Sequence, residues 1–107
     1  LGFGAIELSI LFEEFGKSLV IEPYLATVVL SGSLLDKSSY PDKNELIEQI
    51  CSGDMHISFA YAEASNSYDY LFVNTSLDSK NILNWTKTLV LNVGNSNKII
   101  STCADGN

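Results

Sequence analysis

The sequence predicts an α+β chain in which N-terminal helices are followed by an antiparallel β meander. Three observations lead there. Apolar residues recur at helical spacing through the first half of the 107 residues, and from Met55 onward they alternate at strand spacing. Loops rich in Asn, Ser and Asp then separate the later apolar runs. The change of period divides the chain into a helical portion, 1–53, and a β portion, 54–107.

The first helix rests on Leu8, Leu11, Phe12 and Phe15, which fall at i, i+3, i+4 and i+7, with Gly16 as the expected stop. Glu13 and Glu14 are neighbours there and point about 100° apart, so they form a solvated face and not an acid–base pair. Glu22-Pro23 opens a second helix over 24–35, because Pro is tolerated at the first helical position and Glu suits the positive end of the dipole. That helix is apolar nearly all round. It is therefore expected to be covered by further chain or another subunit, with Ser31-Gly32-Ser33 letting another backbone come close. A third helix takes 43–51 on Leu46, Ile47 and Ile50, and Ser52-Gly53-Asp54 turns the chain out.

The first strand is expected over 55–62, with Met55, Ile57, Phe59 and Tyr61 on one face and His56, Ser58, Ala60 and Ala62 on a more polar one. Further strands are expected over 70–75, 81–84, 86–91 and 98–103. Asn84-Trp85 falls where a two-residue hairpin turn belongs, although such turns favour Gly second. The closing Asp105-Gly106 signals another reversal and leaves an open edge, so the chain reads as a piece of a larger polypeptide.

Composition narrows the function classes. Apolar residues make up 46% and charged residues 18%, within the range of folded globular chains. The formal net charge is -7 and all six basic residues are Lys, which argues against nucleic acid as a partner and against a self-sufficient phosphate grip. The longest apolar run is too short to span a bilayer, and without a basic signal region the expected location is cytoplasmic. Cys51 and Cys103 lie far apart without metal or redox spacing, so both are expected as buried free thiols. His56 stands alone in sequence and is expected to be a surface or satisfied histidine.

Two stretches carry a resemblance. The run EEFGKSLVIEPYLATVVL, followed by ICSGDMHISFAYAE and then by LNWTKTLVLNVGNSNKIISTCA, resembles the acyl-CoA dehydrogenase family, covering the end of its N-terminal helical domain and the start of its middle β domain. The resemblance implies an FAD-dependent α,β-desaturation of an acyl-CoA thioester: a base removes the α proton, a hydride passes from the β carbon to the flavin, and electrons leave to a carrier flavoprotein. It implies a homo- or hetero-oligomer. It also places the flavin ring against Phe59, Tyr61 and Ala62 on one segment and Leu89 and Leu91 on another, with Tyr68 near the substrate thioester. Strand-end groups suit that task because they offer a flat ring rigid hydrogen bonds while excluding water.

The sequence also departs from the family. Ala62 and Leu91 stand where hydroxyl side chains are common, Leu89 where Trp is frequent, Ala64 for Pro and Trp85 for the hairpin Gly. The family's catalytic carboxylate belongs to a later helical domain, outside this sequence. Three functional readings follow: part of an active dehydrogenase, a non-catalytic partner subunit of the same lineage, or an unrelated small α+β interaction domain.

Overall fold

The computed structural model of the chain describes residues 4–64, 69 and 71–104. Helix α1 is Ala5–Lys17, opened by the Gly4 N–H donating to the Glu7 carboxylate at 2.8 Å. Gly16 is not the stop. The helix runs past it, and Leu19 takes the left-handed position with φ 50°, its N–H donating to the Gly16 carbonyl while the Val20 N–H reaches back to that of Phe15. This is the hydrogen-bond pattern of a Schellman cap, with Leu where Gly usually sits.

The second helix starts as a π-helix, Leu25–Gly32, and continues as the α-helical turn α2, Ser33–Lys37. Helix α3 is Lys43–Ser52, ended by Gly53 at φ 86°, the left-handed cap that Ser52-Gly53-Asp54 predicts. Of the strongly apolar second helix, Ala26, Thr27, Ser31 and Leu35 are buried, whereas Leu25 and Leu34 remain exposed.

Strand β1 is Ile57–Ala60, and it packs on the π-helix to make the core. Ile57 is 1% exposed and Ser58 and Ala60 are 0% exposed, so the face expected to be the more polar one is buried as well. Its residues are small because other backbone lies against it. Ser31, on the predicted close-approach patch, donates through its hydroxyl to the Ala26 carbonyl at 2.8 Å and the Ile57 carbonyl at 3.0 Å, tying helix to strand.

The second half departs from an antiparallel meander. β1 pairs in parallel with the last strand, Lys98–Ser101, in the register Ile57↔Lys98 to Ala60↔Ser101. The two strands between are short, β2 at Ser76–Leu77 and β3 at Leu83–Asn84, and they pair antiparallel with each other; Lys98–Ser101 is thus β4. Residues 71–75 and 86–91 are not strands. In the latter, left-handed Leu89 at φ 53°, followed by Asn92 at φ 59°, breaks the extended run, so the chain passes β1 and returns beside it as β4.

The hairpin turn also lies elsewhere than Asn84-Trp85. Asp78 accepts the Lys80 and Ile82 N–H groups at 2.8 Å each through one carboxylate oxygen, and Asn81 supplies the left-handed position at φ 60°. Asn84 pairs with Ser76 instead, which frees Trp85 from any need for positive φ. Cys51 and Cys103 are free thiols, but both are exposed and not buried, because α3 turns Cys51 outward and Cys103 follows the end of β4. Among the described residues no helix is long and apolar enough to cross a membrane.

Candidate functional site

The sequence-predicted site residues fall on two segments that the fold lays side by side. At one end the Thr88 N–H donates to the Ala62 carbonyl at 2.8 Å, and at the other the Ser58 hydroxyl donates to the Leu91 carbonyl at 2.7 Å. Ser58 also meets the Ser96 hydroxyl, which donates to the Asn92 carbonyl at 3.0 Å. β1 with the residues that follow it to Ala62 is therefore fastened to 88–91 by a main-chain bond and a part-buried hydroxyl cluster.

The side chains do not all converge. Phe59 and Tyr61 stack on each other with ring centroids 5.3 Å apart and 29° between planes, Phe59 half-buried and Tyr61 exposed. Ala62 is buried and its carbonyl is taken by Thr88, so its methyl presents nothing to a ligand. Leu91 is half-exposed, and Leu89 is 80% exposed. Leu89 shares its left-handed φ and open side chain with Leu19, the residue that caps α1. Tyr68 lies outside the described residues.

Leu91 opens onto a groove of about 690 Å³. Its far wall is an aromatic trio, Phe12, Phe15 and Tyr24, packed edge to face with centroids 5.2–6.0 Å apart. Leu19, Val20 and Ile21 extend that wall. The lining is suited to an alkyl chain or a flat apolar ring.

Next to the shelf lies a polar cluster that sequence reasoning passed over. The Lys87 ammonium is fully buried and donates to the Glu63 carboxylate at 2.7 Å and to the Thr102 hydroxyl at 2.8 Å. Glu63 further accepts the Thr75 hydroxyl at 2.7 Å, the Thr75 N–H at 3.1 Å and the Asn74 N–H at 2.9 Å. Lys87, then the Thr75 hydroxyl and the Asn74 N–H, hold the Glu63 carboxyl down to about 2, far below its usual range. A lone Lys inside the apolar run LNWTKTLVL was the available signal, since a Lys buried among apolar residues requires a carboxylate. Glu63 also borders a second cavity of about 450 Å³ shared with Asn74, Asn84 and Trp85. His56 contributes its main chain, donating to the Asn97 side chain at 2.8 Å. No protein-family model, curated protein or solved structure matches the chain.

Proposed function

We propose that this chain forms one wall of the flavin and acyl site of an FAD-dependent acyl-CoA dehydrogenase. The observation that carries this reading is the pairing of β1 with 88–91 through the Thr88–Ala62 and Ser58–Leu91 hydrogen bonds, beside an aromatic-lined groove onto which Leu91 opens. A flat ring needs a rigid edge, and two tied backbones support that reading. An acyl chain needs apolar surface, which the aromatic wall of the open groove supplies. The bound flavin would accept the hydride from the substrate's β carbon. This chain's residues would support the ring with the main chain around 59–62 and 88–91 and hold the acyl chain against Phe12, Phe15 and Tyr24.

The fit to FAD is divided. The ring would lie against the main chain of 59–62 and 88–91, whereas for the diphosphate three of the six lysines are engaged within the chain and Lys37, Lys80 and Lys98 are exposed. Lys17 pairs with Glu13 and Glu14, Lys43 donates to the Asp36 and Ser38 carbonyls, and Lys87 is committed to Glu63. The reading assigns the phosphates and the catalytic base to further protein, in a homo- or hetero-oligomer working with an electron-carrier flavoprotein in the cytoplasm.

A second reading is favoured by one observation: buried Ala62 and apolar Leu91 place no hydroxyl at those two positions of the wall. Under it the chain belongs to a partner subunit that supports an active flavoprotein without holding flavin itself. Titration of the purified full-length protein with FAD, followed by visible absorbance, separates the two. Retained flavin supports the first, colour only alongside a co-purified partner supports the second, and no flavin in either state refutes both.

A further inference from the structure

We propose that the Glu63–Lys87 pair is the positioning device of the cofactor wall, fixing the separation between the main chain of 59–62 and that of 88–91. The inference rests on the flavin reading above and adds the element that sets its geometry.

Four observations carry it. The pair brackets the one main-chain bond between the two segments: Glu63 follows Ala62 and Lys87 precedes Thr88, and it is the Thr88 N–H that donates to the Ala62 carbonyl at 2.8 Å. The same ammonium spans both neighbours of β1. Its second bond goes to the Thr102 hydroxyl, and the Thr102 N–H donates to the Ala60 carbonyl at 3.3 Å. The carboxylate in turn anchors the chain at Asn74 and Thr75, and Thr75 accepts the Ala104 N–H at 2.9 Å. Four backbone segments thus meet at one ion pair. Lastly, Ala62 and Leu91 lack polar side chains, so at those two positions the wall offers a ring main-chain groups alone, and their placement is what the pair controls.

Burial of the pair bears on its role. Desolvating two charges costs about as much as their attraction returns, so a buried pair is poor evidence for stability and better evidence for a specified geometry. An ammonium sharing hydrogen bonds of 2.7 and 2.8 Å between a carboxylate and a hydroxyl sets the distance between the segments that carry them.

The test compares the full-length protein with the volume-preserving double variant Glu63→Gln/Lys87→Met and with Lys87→Arg, which keeps the charge but changes the reach. Two readouts are taken: hydrogen exchange of the Thr88 N–H relative to the Thr27 N–H of the π-helix, which donates to the Pro23 carbonyl, and the affinity for FAD. The proposal expects the double variant to lose about tenfold in relative Thr88 protection and about tenfold in FAD affinity. Lys87→Arg should weaken FAD binding with thermal stability retained, which keeps the proposal testable if the double variant does not fold. Wild-type protection at Thr88, or lost protection with unchanged FAD affinity, overturns it. Unchanged FAD affinity in Lys87→Arg overturns it as well. Lost protection in a protein whose wild type binds no FAD upholds the positioning role and refutes the flavin reading, so the two failures are distinct.

Discussion

Replacing Ser58 by Ala removes the single hydroxyl that fastens the 91 loop to β1. Ser58 is 0% exposed, and its loss takes the 2.7 Å donor from the Leu91 carbonyl, on a residue that is itself 50% exposed. Ser96 keeps its bond to Asn92 and fares better. A typical intramolecular hydrogen bond contributes about 0.5–1.5 kcal/mol net, and about 1 kcal/mol is the expectation for Ser58→Ala. For a chain of this size that lowers Tm by roughly 4 °C. Urea unfolding followed by the fluorescence of Trp85, the chain's one tryptophan, gives the measurement, with an unchanged m-value showing that compactness is preserved. Ser52→Ala is the control. That hydroxyl is exposed and bonded locally to Gln49 and Asp54, so its loss should stay within about 0.5 kcal/mol. If Ser58→Ala and Ser52→Ala give the same small change, the hydroxyl cluster does not fasten the loop and the argument for a rigid shelf fails.

Leu19→Gly should stabilise the chain by about 1 kcal/mol, because Leu19 sits at φ 50° and is 83% exposed, so strain is relieved with little burial lost; an unchanged urea midpoint would count against the cap. Leu89→Gly should likewise raise Tm, from φ 53°, but weaken FAD binding; a variant both more stable and equally good at binding FAD would show that the exposed leucine serves no contact with the ring. Glu63 yields a pH dependence of defined sign. Its carboxyl lies near 2 in the folded chain against an ordinary 4.5, so its stabilising effect is complete above about 4.5 and disappears as the pH falls through about 2. Urea midpoints measured down that range should fall more steeply for the wild type than for Glu63→Gln, and parallel curves would exclude the ion pair as their cause.

Local signals were legible in the residues. The i, i+3, i+4, i+7 stripe located α1, Gly53 located the end of α3, and the shift to alternation located β1 within two residues of Met55. The small residues at 31–33 foretold a close backbone approach, which Ser31 makes on Ile57. Each depends on neighbours in sequence, where period, cap chemistry and side-chain size act directly. The stop at Gly16 and the turn at Asn84-Trp85 were misplaced because a rival local device prevailed: a left-handed Leu19 in one case, the Asp78 side chain in the other.

Of the residues expected at a cofactor wall, Phe59, Tyr61, Ala62, Leu89 and Leu91 lie on two segments tied by hydrogen bonds without all their side chains converging, and Tyr68 lies outside the described residues. Amino-acid order alone determined the helical first half, the first strand and a chain poor in phosphate-binding charge. Only the tertiary structure decided that β4 lies parallel to β1, that 88–91 is an irregular segment tied to it, and that Glu63, Lys87, Thr75 and Thr102 share one buried cluster. The physical reason is separation along the chain. A parallel partner 41 residues away, Ile57 beside Lys98, leaves no mark in local periodicity, and a buried charge reveals its counter-ion only when folding removes water from both.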